Sequence, residues 1–98
     1  MKIAHYVMLR LEPGFVTDEY FAYTEDIFAR LLDAQEDILA VSVHRNCVAR
    51  EGNYDLMIRL ELADEAALPR YLAHPLHQEF ARSNGDVLLA RASFDCPL

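Results

Sequence analysis

The sequence predicts an α+β domain of order β-α-β-β-α-β, a four-stranded antiparallel sheet with both helices on one face. Three observations carry this. Apolar residues alternate at period two in residues 3–11 and 54–62, and recur at three- and four-residue spacing after Thr17. Turn-forming pairs fall between these segments, at Pro13-Gly14, Glu51-Gly52-Asn53 and Asn84-Gly85-Asp86. A chain of 98 residues holds one core, so residues 1–98 read as a single domain. This element order is the split-βαβ, ferredoxin-like pattern, and right-handed crossovers put its helices on one side of the sheet.

In the first strand Ile3, His5, Val7, Leu9 and Leu11 share one face, and Ala4, Tyr6, Met8 and Arg10 the other. A strand apolar on both faces is central and covered on both sides. Thr17 caps the first helix, and Asp18 and Glu19 suit the positive end of its dipole. Phe21, Thr24, Phe28, Leu31 and Leu32 form its core-facing stripe, and the helix ends near Glu36 or Asp37. Residues 38–47 are rich in β-branched side chains and read as a second strand. Residues 54–62 pair with it as a hairpin across a short turn, with Tyr54, Leu56, Ile58, Leu60 and Leu62 inward. Asp64 caps a second helix. Pro69 sits awkwardly near its fifth position, and Pro75 breaks it, with a restart through Phe80 to Arg82. Residues 87–94 make the last strand.

The hydrophobic fraction is 53%, above the roughly 45–50% of ordinary domains, which is a surplus for so small an interior. Two helices cover only one face of the sheet. The other carries Ala4, Tyr6, Met8 and Met57, too apolar a patch for water, so a homodimer packed through this open face is expected. Sixteen acidic residues against nine basic ones, with no basic cluster, argue against nucleic acid and anionic membranes as partners. No apolar run approaches the ~20 residues of a membrane span, and the N-terminus lacks signal-peptide features. A cytoplasmic protein is expected, with Cys47 and Cys96 as reduced thiols.

Chemistry concentrates in the histidines. His44 reads as edge-strand surface. His5 lies on the most apolar face of the chain, either as a core histidine with a hydrogen-bonding partner or as part of a cavity wall. Tyr71-Leu72-Ala73-His74-Pro75-Leu76-His77 is the densest segment. On an unbroken helix Tyr71 and His77 would diverge by about 240°. Pro75 removes that obstacle: it pushes His74 out of helical geometry and suits the first position of a new helix. His77 then falls in a first turn, where the dipole disfavours its protonated form, and a neutral imidazole is what a general base needs. The segment reads equally well as a capped turn with Leu76 and Phe80 as core anchors. His5, His74 and His77 lack the spacing and the carboxylate partner of a metal site, so no metal is expected. Phosphate-loop, dinucleotide and nucleophile-elbow patterns are absent.

The opening Ile3-Ala4-His5-Tyr6-Val7-Met8-Leu9, the strand Tyr54-Asp55-Leu56-Met57, and above all Tyr71-x-x-His74-Pro75-x-His77 resemble the stress-responsive dimeric α+β barrel (Dabb) family over about residues 2–95. The resemblance implies a homodimer whose two sheets close into a barrel with the helices outside. Function in that family is heterogeneous; its best mechanistic model is a cofactor-free polyketide cyclase of the olivetolic acid type. By that resemblance His77 is the base that removes a proton α to a carbonyl, driving an intramolecular aldol closure, and Tyr71 hydrogen-bonds the developing enolate or positions the carbonyl. His5 and His74 contribute to ligand binding. Leu56 stands where the cyclase has a further pocket histidine, which puts that enzyme's own substrate in doubt here. No cofactor is implied. Three functions follow: a small-molecule enzyme of this cyclase type, a non-catalytic stress-response or ligand-binding barrel, and, by fold analogy alone, a cofactor-independent monooxygenase or an isomerase.

Overall fold

A computed structural model describes all residues, 1–98. The elements are β1 (Ile3–Leu11), a short 3₁₀ turn (Pro13–Phe15), α1 (Asp18–Ala34), β2 (Ile38–Arg45), β3 (Leu56–Leu62), α2 (Ala67–Ala73), α3 (Pro75–Ser83) and β4 (Leu88–Pro97). The strands form one sheet in the order β2-β3-β1-β4, and every pairing is antiparallel. The expected ferredoxin-like arrangement is therefore present, with the second helix divided in two.

Thr17 caps α1, its Oγ1 accepting from the Tyr20 amide at 3.1 Å. The buried stripe of α1 is Thr24, Ile27, Phe28 and Leu31; Phe21 and Leu32 are only half-buried at its margins. The expected stripe was thus rotated and missed Ile27, which is fully enclosed. Burying such a side chain contributes about 1.5–3 kcal/mol, so this correction moves a principal core anchor. On β3, Leu56, Ile58, Leu60 and Leu62 are buried and alternate with partly exposed residues, as the period-two pattern requires.

The hairpin is looser than expected. β2 ends at Arg45 and β3 starts at Leu56, so residues 46–55 form a loop rather than a tight turn. The loop holds itself together with polar bonds: the Asn46 amide reaches the Asp55 carbonyl at 3.0 Å, and Arg10 donates to the Glu51 and Asn53 carbonyls.

Pro69 is harmless because α2 starts late. It occupies the third helical residue, where a backbone N–H has no intrahelical partner to lose. Asp64 still serves this end, its Oδ1 accepting from the Ala67 amide at 3.1 Å. At the break, His74 takes φ −63° and ψ 138°, extended as a residue before proline should be, and Pro75 opens α3. β4 runs to Pro97, beyond the expected end at 94, because the full length of β1 is available to pair with it.

Candidate functional site

The helices and the inner face of the sheet meet over an aromatic cluster. Phe28 of α1 touches Phe80 of α3 edge-on at 5.2 Å between ring centres, and Tyr71 of α2 at 6.3 Å. Tyr71 is 2% exposed. Beyond it, between α2, α3, β1 and β4, lies a cavity of about 350 Å³, at the lower end of the range of small-ligand sites. His5, Tyr71, His77 and Asn84 line it, together with Arg91, Ser93 and Asp95 of β4.

The interruption at Pro75 produces the main contact of this site. With the helix restarted there, the ring centres of Tyr71 and His77 lie 4.6 Å apart at an interplanar angle of 64°. The His5 and Tyr71 ring centres are 5.8 Å apart, so Tyr71 packs against both histidines.

Each ring is held differently. His77 Nδ1 is 3.0 Å from the Leu72 carbonyl, one of the carbonyls left free where α2 ends. A carbonyl only accepts, so this bond puts the proton on Nδ1 and leaves the Nε2 lone pair free. Burial holds the His77 imidazole below the ordinary histidine range, and the charges of His5 and Arg91 push the same way against the Leu72 bond. Desolvation, rather than the helix dipole expected from the sequence, is the first cause of the neutral ring. Burial likewise pushes the Tyr71 phenol far up, so it stays protonated and can only enter chemistry as a hydrogen-bond donor or a shielded acid. Tyr71 makes no hydrogen bond within the chain, and its hydroxyl is not sealed from the cavity.

His5 pairs across the sheet with Asp95, residue opposite residue, and its Nδ1 donates to Asp95 Oδ1 at 2.6 Å. A core histidine with a partner and a cavity-lining histidine were alternative readings of the sequence; His5 is both. Asn84 is buried at the end of α3, and its Oδ1 accepts from the Tyr20 hydroxyl. Burial raises the Tyr20 phenol to about 12, which keeps it a donor and fixes the Asn84 amide with its NH₂ as the free end.

The structure therefore brings His5, Tyr71 and His77 together and leaves two candidates apart. His74 caps α3, its Nδ1 accepting from the Leu76 amide at 3.1 Å, and does not line the cavity. Leu56 is buried on β3 opposite Leu9 and does not line the cavity. It borders a separate depression of about 340 Å³ by the 46–55 loop, shared with Met8, His44 and Tyr54. Sequence reasoning missed Asp95, Asn84 and Arg91. For Asp95 and Arg91 a signal existed: extending the last strand to Pro97 places Arg91, Ser93 and Asp95 at alternate positions on one face. For Asn84 there was none, since Asn-Gly reads as a turn.

The open face of the sheet carries an apolar patch of Tyr6, Met8, Met57, Ala92, Phe94 and Cys96, with Phe94 64% exposed. No group of three or more His, Cys, Asp or Glu side chains is placed to hold a metal ion, and no helix is long and apolar enough to cross a membrane.

These features define a ferredoxin-like fold with a helix–sheet cavity and a bare outer sheet face. Residues 3–98 match the stress responsive A/B barrel domain, and the chain belongs to that family. Among curated proteins none matches it. Three solved structures place the fold. A dimeric ferredoxin-like protein of unknown function from Thermobifida fusca is 21% identical, with TM-score 0.83 over 100% of this chain and 92% of its own. A putative antibiotic biosynthesis monooxygenase from a Bacteroides species is 18% identical, with TM-score 0.80 over 99% and 89%. The hydroxynitrile lyase of Passiflora edulis is 10% identical, with TM-score 0.80 over 99% and 93%. At these identities the likeness is one of fold.

Proposed function

We propose that the chain acts as a homodimer, packed through its open sheet faces, and binds a small carbonyl-bearing aromatic or polyketide-like ligand in the helix–sheet cavity. There His77 Nε2 removes a proton from the carbon α to a carbonyl. Tyr71 donates a hydrogen bond to the enolate oxygen that forms. In a cyclisation the enolate carbon then bonds to a second carbonyl carbon of the same molecule, and the proton returns from His77 to the new alkoxide. His5, fixed by Asp95, walls the cavity behind Tyr71.

The observation that carries this reading is the state of His77: Nδ1 is occupied by the Leu72 carbonyl and burial favours the neutral ring, so a basic Nε2 is available at neutral pH. The dimer is supported by the patch around Phe94 and by the dimeric relative from Thermobifida fusca. The relative that is a hydroxynitrile lyase supports small-molecule chemistry on this fold, while the reaction itself has to be argued from the site.

A second reading, a non-catalytic ligand-binding or stress-response barrel, is favoured by the packing of Tyr71 between Phe28 and His5, which would serve stability alone. Deuterium exchange at the α-carbon separates the two. Butyrophenone and 5-oxo-5-phenylpentanoate in D₂O are followed by proton NMR with and without protein. Exchange above buffer that drops about 10²–10⁴-fold in His77→Gln, with the dimer intact, is the expected outcome. Exchange no faster than buffer with either ketone, or equal in the variant, would contradict the base assignment.

A further inference from the structure

We propose that the ligand of this cavity is an anion, a carboxylate-bearing carbonyl compound whose carboxylate docks on Arg91. The inference rests on the reading of the cavity as a carbonyl-ligand site and deepens it by naming the charge of the ligand.

The floor of the cavity is set by β-sheet register. Leu9, Val7 and His5 of β1 pair with Arg91, Ser93 and Asp95 of β4. His5 and Leu9 are buried against the helices, so their partners on β4 face the same way. α2 and α3 do not cover this stretch of β4, and Arg91, Ser93 and Asp95 are exposed to the cavity instead of being packed over. The three side chains make a polar strip along one wall.

The two ends of that strip differ. Asp95 is taken, its Oδ1 receiving His5 Nδ1 at 2.6 Å. Arg91 is not. Arg30, Arg45, Arg59 and Arg70 each meet a carboxylate within 3.8 Å. Arg10, Arg50, Arg82 and Arg91 meet none, and of these four Arg91 is the one that lines the cavity, where it donates no hydrogen bond to the chain. Its charge reaches into the site, since it is one of the causes that disfavour protonation of His77.

A guanidinium presents a planar fork that matches a carboxylate in two parallel hydrogen bonds. The helices that face it supply Leu68, Leu72 and Phe80, which suits an alkyl or aryl body. A carboxylate on Arg91 would point the rest of the molecule along the strip toward Tyr71 and His77.

The test compares 5-oxo-5-phenylpentanoate with its methyl ester, the same skeleton with and without the charge, by calorimetry on the intact protein at low salt. The acid is expected to bind about tenfold or more tightly than the ester, as a charge-assisted bidentate contact implies. Arg91→Gln, a change at an exposed position, should level the two by weakening the acid alone. Added salt should weaken the acid and leave the ester unchanged. Equal affinities in the unaltered protein, a preference that survives Arg91→Gln, or no binding of either compound at millimolar concentration would each overturn the proposal. Failure of α-exchange with a bound acid would overturn the base assignment for His77 and leave the anion site standing.

Discussion

Replacing Tyr71 separates structure from chemistry in this site. Its ring lies between Phe28, His5 and His77, with ring centres 6.3, 5.8 and 4.6 Å away, and the residue is 2% exposed. Tyr71→Ala deletes that ring from the centre of the cluster. Truncating a buried aromatic costs about 3–5 kcal/mol. For a domain of this size each kcal/mol moves the melting temperature by about 4–8 °C. A fall of more than about 12 °C is therefore expected, if the variant folds at all. Tyr71→Phe keeps the ring and removes only a hydroxyl that bonds to nothing within the chain. No partner is orphaned by its loss, so the stability change should stay within about 1 kcal/mol. The chemistry should not spare Tyr71→Phe, because that variant also lacks the donor. Loss of one donor to a developing oxyanion costs about 10²–10³ in rate. Thermal melts followed by circular dichroism, with α-deuterium exchange on the same samples, give both numbers. If Tyr71→Phe loses several kcal/mol, the hydroxyl has a structural role. If it keeps full exchange activity, Tyr71 is not the enolate donor.

Two further outcomes follow from other parts of the molecule. The pKa of His77 is lower folded than unfolded, so below about pH 6.5 the unfolded chain binds more protons and stability falls with pH until the folded value is passed. His77→Gln should flatten the stability profile between neutral pH and that limb, measured by urea unfolding; an unchanged slope would place the titration elsewhere. Phe94→Glu puts a charge into the exposed patch beside Tyr6, Met8 and Met57 and should convert a dimer into monomer by light scattering, while a dimer that persists would place the interface off this face.

Much of this fold is legible in the sequence because its information is local. The alternation in β1 and β3, the Thr17 cap and the break at Pro75 each depend on neighbours a few residues away. The approach of Tyr71 and His77 was legible for the same reason, since one proline decides it. What the sequence hid depends on long-range register. The His5–Asp95 bond joins the first strand to the last, and only the alignment of β1 with β4 brings them together. Asn84 enters the site because Tyr20 of α1 reaches it across the helix pair, a contact no spacing announces. The ten-position gap between β2 and β3 looks like a short turn in the sequence because Gly52-Asn53 is a turn signal wherever it falls within a longer loop. His74 looked like part of the site because it sits in the motif, yet its ring is used up capping α3.

Proton abstraction in this cavity requires a neutral His77, with its proton on Nδ1 and a bare Nε2. Nitrogen-15 NMR of the histidine side chains at pH 7 reads both properties directly, and the His77→Gln spectrum assigns the signal. The expected result is a neutral ring with a protonated Nδ1 and an Nε2 at the shift of an unprotonated nitrogen. A doubly protonated His77, or a neutral ring carrying its proton on Nε2, would contradict it.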